Sequence, residues 1–70
     1  MLFDTIPRGS LPARLTCIDL ISRLEANVYN PQEMKHAVGV VSRHMLDPKA
    51  TIPDAELKRC LAMVEQLYLP

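Results

Sequence analysis

The chain has 70 residues, of which 49% are hydrophobic and 23% charged, a composition typical of a folded domain and not of a disordered segment. Eight basic residues balance eight acidic ones, so the formal net charge is zero and no overall positive field attracts nucleic acid or anionic lipid. This length allows one domain with a small core, and chains of this size often gain stability by associating.

Residues 1–9 form a predicted N-terminal arm without helical periodicity. Pro7 and Gly9 interrupt it, and the segment has neither the basic start nor the continuous apolar stretch of a signal peptide. Its apolar residues, Phe3 and Ile6 among them, would be unusual in a solvated tail, so we expect the arm to dock on another surface. No apolar run in the chain approaches the roughly 20 residues of a membrane helix, and we therefore expect a cytoplasmic protein.

The first predicted helix spans about residues 11–28, with Ser10 as a favourable N-cap. On a helical wheel, one group of apolar side chains forms an ordinary core stripe, which comprises Ala13, Cys17, Leu20, Ile21, Leu24 and Val28. A second apolar group lies about 150° away at 100° per residue and contains Leu11, Leu15, Ile18 and Ala26. Helix 1 is therefore apolar on two sides.

Proline and capping residues mark the starts of the other two predicted helices, which span about residues 31–46 and 53–69. Asn30, Pro31 and Glu33 have the spacing of a capping box with proline in the first helical position. The second helix ends before a loop that holds two prolines, and the latter of these starts the third helix.

The second and third helices each have a single apolar stripe with the period of an amphipathic helix. The stripe of helix 2 contains Met34, Ala37, Val38, Val41 and Met45, and that of helix 3 contains Leu57, Cys60, Leu61, Val64, Leu67 and Tyr68. No segment alternates with the period of a strand. The sequence therefore predicts an all-α, three-helix domain over residues 10–70.

The second apolar side of helix 1 is the feature most relevant to function. A helix in a three-helix bundle contacts both neighbours with one broad stripe, so an opposed stripe needs another covering element. In one interpretation, the apolar residues of the arm, including Leu2, fold back over Leu11, Leu15 and Ile18 within the same chain. In the interpretation that we favour, these residues bind a partner protein, and Phe3 and Ile6 of the arm form a second contact region. A second copy of the chain is the first candidate partner.

No combination of residues in the sequence indicates catalysis or a bound cofactor. His36 and His44 are eight positions apart on helix 2, about 12 Å along its axis, which is too far for one metal ion. Cys17 and Cys60 fall on core stripes, where buried, reduced thiols are the simplest expectation. We therefore expect a non-enzymatic protein without metal or cofactor that acts as a regulatory or adaptor protein, such as an inhibitor, antiactivator or chaperone-like subunit.

The alternative is a DNA-binding transcriptional regulator of the helix-turn-helix type. Three short helices suit this class, and four basic residues are predicted on exposed helix faces, namely Lys35, Arg43, Lys58 and Arg59. Two features disfavour it. The loop between helices 2 and 3 is longer than the usual turn of three or four residues, and acidic residues match the basic ones in number.

Overall fold

The computed structural model describes residues 3–27 and 31–69, and over these residues the chain is all-helical, without strands. The elements are α1 (Leu11–Ala26), α2 (Gln32–Leu46), α3 (Asp54–Glu65) and a 3-10 turn (Gln66–Tyr68). The all-α class and the three helices predicted from the sequence are therefore confirmed. Val28, the predicted last residue of helix 1, lies outside the described residues. Among the described helices, none is long and apolar enough to cross a membrane.

Each helix begins within one residue of its predicted start. Ser10 caps α1 as predicted, because its Oγ accepts a hydrogen bond from the backbone N–H of Ala13 at 3.2 Å. Pro31 and Pro53 precede α2 and α3 instead of occupying the first helical position, since their ψ angles of 154° and 137° are not helical. Their carbonyls accept early helical hydrogen bonds. The predicted cap Asn30 lies outside the described residues.

The core lies between the three helices, with α2 in contact with both α1 and α3. The predicted apolar stripe of α2 is completely buried. The buried residues of the other two helices also come from their predicted stripes: they are Ala13, Cys17 and Leu20 from α1, and Cys60, Leu61 and Val64 from α3. The period of the apolar residues therefore identified most of the core.

Ile21 is an exception on α1. The helical wheel groups it with the core stripe, but this assignment is wrong, because its side chain is 44% exposed. Apart from the arm, α1 packs mainly against α2 and the C-terminal 3-10 turn, and only a narrow arc of its surface faces these neighbours. Ile21 lies beyond that arc and joins the second apolar side of the helix.

The N-terminal arm folds back onto the helices of its own chain. Phe3 is only 5% exposed and belongs to the core cluster, where its ring contacts the ring of Tyr68. Ile6 is half-buried against the same cluster. Phe3 is therefore buried within its own chain and does not form the surface contact expected from the sequence. The reason is its packing against Tyr68, which lies far from it in the sequence.

Arg8 and Gly9 fasten the arm to the C-terminal end of α2. The Arg8 guanidinium donates hydrogen bonds of 2.8 to 2.9 Å to three backbone carbonyls, those of His44, Asp47 and Ala50. A cation is favourable there because the last carbonyls of a helix lack helical partners and carry partial negative charge. The N–H of Gly9 donates to the carbonyl of Met45 at 2.7 Å, and its φ of +75° favours glycine.

Candidate functional site

Four large apolar side chains are exposed along one side of α1, and we call this row the outer face. It consists of Leu11, Leu15, Ile18 and Ile21, of which the first three are 66%, 56% and 62% exposed. Their spacing of three or four residues places them on one side of the helix over about 15 Å of its length. Single exposed apolar residues are ordinary, but a contiguous row is typical of interaction sites.

The described part of the arm does not cover the outer face. Phe3 and Ile6 pack against the core cluster, while Leu11, Leu15 and Ile18 each remain more than half exposed. The interpretation in which the arm folds over these three residues is therefore wrong for Phe3 and Ile6, and Leu2 lies outside the described residues. The arm instead follows the side of the molecule where Tyr68 and the end of α2 offer it partners.

A cleft of about 280 Å³ adjoins the outer face at Leu15. Its lining residues come from the arm, α1 and the 3-10 turn, and they are Phe3, Ile6, Leu15, Thr16, Asp19 and Tyr68. The cleft brings together three of the residues predicted to bind a partner, namely Phe3, Ile6 and Leu15. A recess of this kind beside an exposed apolar row suits an apolar side chain of a binding partner.

A polar cluster borders the cleft and holds the 3-10 turn on α1. Arg23 Nε donates to Asp19 Oδ2 at 2.9 Å, and the Arg23 guanidinium lies 4.2 Å from the centroid of the Tyr68 ring. Burial, followed by the hydrogen bond between its hydroxyl and Asp19, raises the pKa of Tyr68 to about 12. Hydrogen bonds from Arg23 and then from Tyr68 lower the pKa of Asp19.

The four basic residues of the DNA-binding alternative lie on α2 and α3. Lys35, Arg43 and Lys58 are exposed. Arg59 is also exposed, but it donates to the Glu56 carboxylate at 2.7 Å, so part of its charge is neutralised locally. The loop between α2 and α3 covers residues 47–53. It is longer than the turn of a helix-turn-helix motif, and its length therefore does not favour the DNA-binding alternative.

Both cysteines are free and buried. Burial raises the pKa of the Cys17 thiol, and burial together with the Glu56 carboxylate raises that of Cys60. The structure also brings His36 next to Glu56 and Cys60, a group that sequence reasoning missed. Glu56 and Cys60 are one helical turn apart and could be paired from the sequence, but His36 joins them only through the packing of α2 on α3.

Comparison with known proteins gives no match, whether with protein-family models, with curated protein sequences or with solved structures. Function is therefore inferred from the residues themselves.

Proposed function

We propose that this protein is a non-enzymatic regulatory or adaptor protein that acts by binding protein surfaces, and that it forms a homodimer through the outer face of α1. The exposure of the four apolar side chains of the outer face is the observation that carries the proposal. Burial of apolar surface is the dominant favourable term in most protein association, worth about 25 cal/mol per Å². A cytoplasmic location, expected from the sequence, is part of the same proposal.

The charges beside the outer face favour a second copy of this chain as the partner. Arg14 and Glu25 are both exposed, and they are equally far along α1 from the midpoint between Ile18 and Ile21. At 100° per residue, these four residues lie within an arc of about 60°. They form one seam on the helix, with opposite charges at its two ends and apolar residues at its centre.

An antiparallel contact between two such seams is complementary. A two-fold axis at the midpoint sets Ile18 of one copy against Ile21 of the other, and Arg14 against Glu25 of the other. Each contact occurs twice in an interface of this symmetry, so two apolar pairs and two ion pairs form. Leu15 lies to one side of the seam, where the cleft beside it offers a recess for an apolar side chain of the second copy.

A charge swap tests this arrangement. Glu25→Arg sets two arginines against each other at both ends of the seam, and we expect it to weaken dimerisation about fivefold, as measured by sedimentation equilibrium at low salt. Combining it with Arg14→Glu exchanges the charges and restores the affinity. Lys58→Glu, a charge reversal on α3, is the matched control and leaves the dimer unchanged. The antiparallel seam would be contradicted if Glu25→Arg left the dimerisation affinity unchanged, or if the double variant did not restore that affinity.

A further inference from the structure

His36, Glu56 and Cys60 bring three kinds of metal ligand to one point between α2 and α3. Nε2 of His36 lies 3.2 Å from Oε1 of Glu56, and Sγ of Cys60 lies 3.5 Å from the same oxygen. The three ligand atoms all lie within 4.8 Å of one another. Imidazole, carboxylate and thiolate are the protein ligands that zinc uses.

The packing of the two helices brings these side chains together. Glu56 and Cys60 are one turn apart on α3 and therefore share a face of the helix. Cys60 is only 1% exposed and its position is fixed by the core cluster. His36 lies on α2, which packs directly against α3. The ligand set is therefore largely preorganised.

The separations match those required by a single tetrahedral ion. With bonds of about 2.0 to 2.1 Å to nitrogen and oxygen and about 2.3 Å to sulfur, ligand atoms around zinc lie about 3.3 to 3.6 Å apart. The observed 3.2 Å and 3.5 Å are close to these values. The third distance, between the ligand atoms of His36 and Cys60, is at most 4.8 Å, so at most a small shortening is needed for both atoms to bind one ion. His36 can make this movement because its side chain is 60% exposed.

We propose that His36 Nε2, Glu56 Oε1 and Cys60 Sγ bind one zinc ion, with a water molecule in the fourth position on the solvent side. As the zinc–sulfur bond forms, the Cys60 thiol releases its proton to solvent. The ion then replaces the hydrogen bonds that His36 and Cys60 now make to Glu56 Oε1. Arg59, which also donates to that oxygen, moves to the second oxygen of the carboxylate.

This site does not depend on the proposed dimer, because all three ligands come from one chain and α1 supplies none of them. Cys60 and Cys17 also provide an internal comparison. Both thiols are free and buried, but only Cys60 has a histidine and a carboxylate beside it among the residues that the structure describes.

Zinc titration of the untagged protein in competition with a chromophoric chelator tests the site. We expect one zinc ion per chain with a Kd at or below about 1 μM, and a melting temperature that rises with zinc concentration because the ion binds only the folded state. His36→Ala weakens binding at least about tenfold. It is the decisive variant, because His36 is exposed and its loss leaves the core intact.

The cysteine variants complete the test. Cys60→Ser removes zinc binding, whereas Cys17→Ser retains it, and circular dichroism establishes that each variant is folded before it is titrated. If a cysteine variant does not fold, the comparison of His36→Ala with Glu56→Gln replaces it, and both are expected to weaken binding. Wild-type protein that binds no stoichiometric zinc, or a folded His36→Ala variant that binds zinc as tightly as wild type, would overturn the proposal.

Discussion

The phenyl ring of Phe3 contacts the ring of Tyr68 edge-on, with the ring centroids 6.2 Å apart and the ring planes inclined at 72°. Aromatic pairs favour this geometry because the positive edge of one ring meets the negative face of the other. The contact joins the start of the described chain to its end. Tyr68 also lies beneath Arg23 of α1, so the arm, α1 and the 3-10 turn form one connected unit.

Phe3→Ala is expected to destabilise the protein strongly. The substitution removes a core side chain and the contact with Tyr68, and comparable truncations of buried phenylalanine cost about 3 kcal/mol or more. Urea unfolding measures the loss. Ile6→Ala truncates a half-buried neighbour in the same arm and is expected to cost less. An effect of Phe3→Ala no larger than that of Ile6→Ala would show that the arm does not contribute to the core as described.

Arg8→Ala is expected to lower the free energy of unfolding, because it removes contacts between the arm and the end of α2. The variant leaves three backbone carbonyls without their charged donor, and hydrogen bonds to charged groups contribute about 1.5 to 3 kcal/mol. Arg8→Lys retains the charge but not the fork of donors, so an intermediate free energy of unfolding is expected. Lys58→Ala, at an exposed site on α3, is the control for losing a cation. Equal free energies of unfolding for Arg8→Ala and Lys58→Ala would contradict a stabilising role of the three Arg8 hydrogen bonds.

The two glycines are expected to respond to alanine in opposite directions. At Gly9, φ is +75° and an added Cβ would lie 2.8 Å from Cγ of Pro48, so Gly9→Ala is destabilising by about 1 to 2 kcal/mol. Gly39 lies within α2 with open space around it, so Gly39→Ala is stabilising by up to about 1 kcal/mol. Thermal unfolding of the two variants compares them directly. Stabilisation by Gly9→Ala would disprove the turn conformation.

The contribution of Tyr68 to the free energy of unfolding is expected to fall at high pH. Its pKa is raised from 10.0 to about 12, so between these values the folded state holds a proton that the unfolded chain has lost. Stability must then decrease as pH rises through this window. Tyr68→Phe has no hydroxyl to ionise, so the difference in free energy of unfolding between wild type and variant should shift steadily in favour of the variant. A difference independent of pH would contradict the partial burial of the Tyr68 hydroxyl and its hydrogen bond to Asp19.

Features set by local sequence could be predicted well. The Ser10 cap and the apolar stripes of α2 and α3 depend on residues within a few turns of one another, and the structure agrees with them. Three of the four residues of the outer face also follow from a helical wheel, because Leu11, Leu15 and Ile18 do not fit the core stripe. Their exposure in the structure agrees with that separation.

Features set by tertiary contacts could not be predicted. The exposure of Ile21 depends on which arc of α1 meets its neighbours, and the wheel alone does not define that arc. The burial of Phe3 depends on Tyr68 at the opposite end of the chain. The approach of His36 to Cys60 depends on how α2 and α3 pack, which periodicity does not specify.

Sedimentation equilibrium of the wild-type protein over a wide concentration range, together with Leu15→Glu and Ile18→Glu, tests the central claim most directly. We expect the wild-type mass to rise with concentration from that of one chain to that of two. Both variants are expected to remain folded and monomeric, because each places a charge on the outer face and neither residue belongs to the core cluster. A folded wild-type protein that keeps the mass of a single chain at every concentration would contradict the proposed dimer.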